Sequence, residues 1–118
     1  LECFSTGLHG LTTLHTDDTR KIPDRIQNMM QDSYAADRLE NDIYSFINVG
    51  VLLRKKVIDD RITRSVDQIC FFDRVGDTNK YVLSVEDGKL ANKEMTENIQ
   101  KKFEWMGIKD PFSEGGCI

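Results

Sequence analysis

An α/β fold is predicted for this chain: a short strand, two amphipathic helices, an antiparallel meander and a last helix. Three observations predict it. Residues 11–16 alternate and are rich in β-branched side chains, as a strand requires. Two apolar stripes at helical spacing follow, on Ile22, Ile26, Met29 and Met30 and on Leu39, Ile43, Phe46 and Ile47. From Val49 to Val85 the period becomes that of strands, broken at Asp59-Asp60 and at Gly76-Asp77-Thr78-Asn79, which gives three strands in one meander.

The elements follow in order. Residues 1–6 read as the end of a helix, with Gly7 as its left-handed terminator. In the strand 11–16, Leu11, Thr13 and His15 share one face and Thr12, Leu14 and Thr16 the other. Asp17-Asp18-Thr19 is a turn that supplies capping oxygens. The first helix begins near Ile22, because Pro23 is tolerated only in a first turn, and runs to Gln31. Ser33 caps the second helix, which Asn48 and Gly50 end. Residues 49–54 read as a buried strand. Residues 61–72 form a longer strand with a phase slip at Asp67-Gln68, the mark of a bulge, and residues 80–85 form a third. Asp87-Gly88 turns the chain out of the meander.

The last helix is expected from Asn92 to Met106, with Met95, Ile99, Phe103 and Met106 along one side. Gly107 followed by Ile108 reads as a Schellman stop. Residues 1–109 are expected to form one unit and residues 110–118, with Pro111 and Gly115-Gly116, a flexible tail.

Composition narrows the function. A chain of 118 residues is one domain or a piece of one. No apolar run approaches the roughly 20 residues of a membrane helix, and residues 1–4 have neither the basic nor the apolar part of a secretory leader. A net charge of -4 argues against broad attraction to nucleic acid or anionic lipid. Arg54-Lys55-Lys56, followed closely by Asp59 and Asp60, reads as a solvated strand end. Cys3, Cys70 and Cys117 are odd in number and form no CxxC, the usage of a reducing cytoplasm, and Cys70 is expected in the core.

The residues that carry chemistry cluster between Ser5 and Asp18, where both histidines lie. In an extended strand His9 and His15 would stand about 20 Å apart, too far to share one zinc ion, so no metal site is expected. No G-x-S-x-G elbow presents a nucleophile. Two readings stay open: a histidine satisfied by hydrogen bonds near a loop, and a phosphate sensor. In the second, an imidazole at a strand end, beside threonine hydroxyls, donates to a terminal phosphate oxygen. The anion favours the charged imidazole. Such a bond exists only while the γ-phosphate is present, so it reports the nucleotide state to the helix that follows.

Thr6-Gly7, then Leu11-Thr12-Thr13-Leu14-His15-Thr16-Asp17-Asp18, then Pro23-Asp24-Arg25-Ile26 resemble the histidine box of the secretion-traffic ATPases. These are the hexameric motors of type II and type IV secretion, conjugation and pilus assembly or retraction. The family pattern is T-G-H, a few residues, T-T-x-H-[AT]-[ND], and a helix carrying D/S-R-[IL]. Residues 47–54 resemble its A-I-D-hydrophobic-R strand, with Asn48 in place of the Asp, and residues 61–66 resemble the strand paired with it. The resemblance covers residues 1–72 and is closest to the conjugation and tight-adherence-pilus branch. Leu8 stands where the family has its first box histidine, and His9 follows one position later.

The resemblance implies the C-terminal part of a RecA-like P-loop ATPase domain. It implies His15 as γ-phosphate sensor with Thr12 and Thr13, and Gly7, His9 and Arg25 in nucleotide binding. A surface salt bridge is the competing role for Arg25. It further implies ATP and Mg²⁺ as cofactors of the parent protein, a homo-hexameric ring, secretion or pilus components of the inner membrane as partners, and a cytoplasmic place at that membrane's inner face. No direct contact with nucleic acid is expected. The chain has no G-x-x-x-x-G-K-[ST] and no acidic pair after an apolar strand. Phosphoryl transfer needs both a phosphate cradle and a metal clamp. The chain alone is therefore expected not to hydrolyse ATP, and the nucleotide loop is expected upstream of Leu1. A fragment with uncovered apolar faces is expected to dimerise, with or without a swapped element. The alternative is a free-standing α+β interaction module that binds a protein through its meander and has no nucleotide role.

Overall fold

The computed structural model describes residues 10–30 and 36–112. It is a mixed helix and strand structure. A 3₁₀ turn (Thr19–Lys21) leads into α1 (Ile22–Met30), and α2 (Ala36–Phe46) follows. Then come β1 (Val49–Ile58), β2 (Arg61–Val75), β3 (Thr78–Glu86), β4 (Lys89–Leu90) and α3 (Glu97–Trp105). The strands form one antiparallel sheet in the order β1-β2-β3-β4. Among the described residues no helix is long and apolar enough to cross a membrane.

Side chains alternate across β2, so Phe71 and Phe72 point to opposite faces. Phe72 meets Tyr44 of α2 edge-on, with centroids 5.9 Å apart, and Phe71 meets Phe103 of α3 at 6.4 Å. Helices α1 and α2 thus cover one face of the sheet and α3 part of the other. The core is Ile22 and Ile26 of α1, Leu39 and Ile43 of α2, and Cys70 and Phe72 of β2. Full burial of side chains such as Leu39, Ile43 and Phe72 stabilises the fold by roughly 1.5–3 kcal/mol each. Burial pushes the Cys70 thiol up to about 12, so it packs as a small neutral side chain.

Gly50 sets how closely α1 approaches β1. A Cβ there would run into Ile22 Cδ1 and come within 3.2 Å of Phe72 Cε2. The phase slip in β2 is a bulge. Leu52 pairs with Gln68 and Leu53 with Val66, which leaves Asp67 as the extra residue. The buried Asp67 carboxylate accepts from Arg54 Nη2 at 2.8 Å, and its carbonyl accepts from the Gly88 amide at 2.9 Å. Helix α3 ends as expected: Gly107 has φ +81°, the Ile108 amide donates to Phe103 O and the Gly107 amide to Glu104 O.

Several expectations need correction. Residues 11–16 form no strand: they make no ladder with any strand among the described residues. Met29 is 74% exposed and only Ile22, Ile26 and Met30 of its stripe pack inward. Helix α2 ends at Phe46, two residues before Asn48. β1 is not a buried strand: Val49, Val51 and Leu53 share one face, and no layer among the described residues covers it. Arg54-Lys55-Lys56 lies inside β1 rather than at its end. β2 runs on to Val75, β3 starts at Thr78, and β4 is a strand the sequence did not announce.

Helix α3 begins at Glu97, five residues later than expected. The Ala91 and Asn92 amides donate to Ser84 O, which holds residues 91–92 on β3 instead. Met95 therefore precedes the helix, and Met106 is exposed. The expected helix end at residues 1–6, Gly7, His9, the Ser33 cap and residues 113–118 of the tail lie outside the described residues.

Candidate functional site

The sequence between Gly10 and Asp18 alternates, and the alternation survives without a ladder. Leu14 packs against the core, while Leu11, Thr13 and His15 stay exposed. Thr12 is exposed as well. This segment, α1 and the edge strand β1 line one groove of about 940 Å³. Thr12, Thr13, His15 and Asp17 of the segment, Lys21 before α1, Ile22, Arg25 and Ile26 of α1, and residues 49–53 of β1 all face it. The structure therefore brings His15, Thr12, Thr13 and Arg25 to one opening.

Local hydrogen bonds fix the segment's far end. Thr16 Oγ1 donates to Asp18 O at 3.1 Å and accepts from the Asp18 amide at 3.4 Å. Asp18, in extended backbone, caps the 3₁₀ turn: its carboxylate accepts from the Arg20 amide at 2.9 Å. It also accepts from Arg20 Nε at 2.9 Å and Nη2 at 2.6 Å. Those Arg20 bonds hold its carboxyl at about 2. Lys21 Nζ donates to Asp17 Oδ1 at 3.1 Å and keeps that carboxyl below its ordinary value.

A longer tie fixes the segment to the sheet. The Thr19 amide and hydroxyl both donate to Gln68 Oε1, at 2.8 and 2.9 Å, and both residues are buried. Arg25 Nε donates to the His15 carbonyl at 3.1 Å, which joins α1 to the histidine's backbone. Arg25 makes no ion pair among the described residues, so the expected surface salt bridge is replaced by a bond to the main chain.

The groove lining so built carries an imidazole, two threonine hydroxyls and a guanidinium, and the Lys21 ammonium bonded to the Asp17 carboxylate. Such a lining suits a phosphate or another compact anion. Among the described residues no group of His, Cys, Asp and Glu could hold a metal ion. Gln68 and Lys21 were not singled out from sequence. The phase slip marked the place of Gln68, but nothing local shows that it would hold Thr19, 49 residues away. No protein-family model, curated protein or solved structure matches the chain.

Proposed function

We propose that this chain is the C-terminal segment of a RecA-like motor domain of the secretion-traffic ATPase type, and that His15 contacts the γ-phosphate of ATP. The carrying observation is the exposure of His15 at one opening with Thr12, Thr13, Lys21 and Arg25. An imidazole sunk among apolar neighbours could not serve. The groove is also lined by residues 49–53 of β1, the edge strand of the sheet, which leaves the site open on that side.

In this reading Thr12 and Thr13 donate to phosphate oxygens beside His15, and Arg25 holds the histidine's carbonyl while its remaining nitrogens face the anion. Gly7 and His9 would complete the nucleotide side. ATP and Mg²⁺ would be held mainly by a phosphate loop and acidic residues encoded upstream of Leu1. The motor would act as a hexamer on the inner face of a membrane, with secretion or pilus components as partners.

Two measurements test the reading. The coding sequence upstream of Leu1 should encode G-x-x-x-x-G-K-[ST]; a start codon directly before Leu1 would contradict it. The 118-residue chain alone should bind ATP only weakly, since most phosphate contacts lie elsewhere; submicromolar binding by calorimetry would contradict it as well.

A further inference from the structure

β1 carries main-chain groups that no strand uses. It stands first in the order β1-β2-β3-β4, so one of its sides has no ladder among the described residues. The Phe72 amide donates to Asn48 O at 2.9 Å, and the register continues with Val49 opposite Phe71, Gly50 opposite Cys70 and Val51 opposite Ile69. Bonded pairs alternate with unbonded pairs along an antiparallel ladder. Gly50 therefore turns its N–H and C=O toward β2, and Val49 and Val51 turn theirs outward. Such an edge is a template for another extended chain.

There is room beside it, because residues 49–53 face the groove of about 940 Å³. The side chains of Val49, Val51 and Leu53 are exposed there, and an incoming strand would pair with them across the ladder.

Charge selects the occupant. Residues 53–66 carry five cations against two carboxylates, and the rest of the chain 11 against 18. Arg54 is bonded to Asp67, whereas Lys55 and Lys56 are exposed and make no ion pair among the described residues. Asp59 and Asp60 lie beyond Ile58, past the end of β1. Screening confines attraction between exposed charges to about 8 Å at physiological ionic strength, so these two lysines decide rather than the net charge of -4. Pairing with a second β1 would bring two cationic runs together along one short edge. An acidic strand neutralises one run.

We infer that the outer edge of β1 takes an extended acidic segment of a partner protein as an added strand. Its main chain bonds Val49 and Val51, its apolar side chains cover the exposed valines, and its carboxylates meet Lys55 and Lys56. This contact does not rest on the nucleotide reading, since the pairing groups belong to β1 and His15 to another segment.

The test is fluorescence anisotropy of the intact chain with a labelled decapeptide of alternating Val and Glu. In either direction along β1, that alternation sets a Glu beside Lys55 or Lys56. The peptide should bind, and salt should weaken it. Its Val-Lys counterpart, and a Val-Glu peptide N-methylated at alternate residues, should bind at least about tenfold more weakly. Val51→Pro removes an outward N–H without touching the β1–β2 ladder, and K55E/K56E reverses the local charge. Each should lose about tenfold in affinity, with melting temperature as the check on folding. No binding at about 1 mM peptide, equal binding of the Val-Lys or the N-methylated peptide, or affinity indifferent to both variants would overturn the inference. So would a dimer of the chain alone, seen by sedimentation and abolished by Val51→Pro, because the edge would then belong to a second copy.

Discussion

Thr19 places its main-chain N–H and its hydroxyl on a single oxygen of Gln68, at 2.8 and 2.9 Å, inside the protein. The bond pair pins the segment that carries His15 to the bulge in β2. The bulge is also where Asp67 receives Arg54 at the base of the exposed β1–β2 hairpin. One short stretch of β2 thus sets the position of both features.

Removing that acceptor strands two buried donors. Gln68→Ala should cost about 2 kcal/mol or more, whereas Thr19→Ser, which keeps both donors, should stay within about 1 kcal/mol of the parent. Urea denaturation of the two variants measures the difference. Equal losses would mean that Gln68 acts by packing alone.

Gly50→Ala puts a methyl group where Ile22 Cδ1 already stands. The close contact between β1 and α1 must open, at a cost of about 1–3 kcal/mol. Thermal melting should show the loss, and Ile22→Val in the same chain should recover part of it by making room.

The tip of the β1–β2 hairpin is strained in a known way. Asp59 and Asp60 have φ 50° and 61°, both left-handed, between the paired residues Ile58 and Arg61. Asn-Gly is the preferred pair for such a two-residue turn. Replacing Asp59-Asp60 by Asn-Gly should raise stability by about 1 kcal/mol, read as a higher denaturation midpoint.

Two carboxylates make the fold acid-sensitive. The Asp18 carboxyl is held at about 2, below the ordinary carboxylate range, because Arg20 bonds its charged form. For Asp73, burial pushes the carboxyl up, but donors from Asn98 and the Arg74 amide outweigh it and the net shift is downward. Its oxygen takes the Asn98 amide at 3.1 Å and so caps α3 from the neighbouring strand. A depressed folded value stabilises the protein above the unfolded value, and the contribution fades as pH falls. Stability should therefore drop between about pH 4 and pH 2, and Asp18→Asn should flatten that drop. A variant with an unchanged acid limb would refute the assignment.

Local rules made much of this fold legible. The Schellman stop at Gly107-Ile108 and the bulge at Asp67 depend on neighbours in sequence, and both appear where the pattern places them. The stripes of Ile22 and Ile26 and of Leu39 and Ile43 mark the faces that pack. What failed depends on distant partners. Residues 11–16 carry a strand's alternation, yet a strand exists only beside another. Val49, Val51 and Leu53 are apolar, yet their burial needs a layer that the described residues do not supply. The start of α3 is set by Asp73 and Ser84, neither of which is near Glu97 in sequence. At the candidate site, the sequence pointed to His15, Thr12, Thr13 and Arg25, but not to Gln68, whose role is made by the fold.

The central claim is that the imidazole of His15 touches the terminal phosphate. Its most direct test is the steady-state ATPase rate of the polypeptide extended upstream through its nucleotide loop, compared with its His15→Ala variant, with the melting temperature of each measured alongside. The account predicts a rate at least about tenfold lower and an unchanged melting temperature, since the exposed ring holds no part of the core. An unchanged rate, or a loss explained by unfolding, would contradict it.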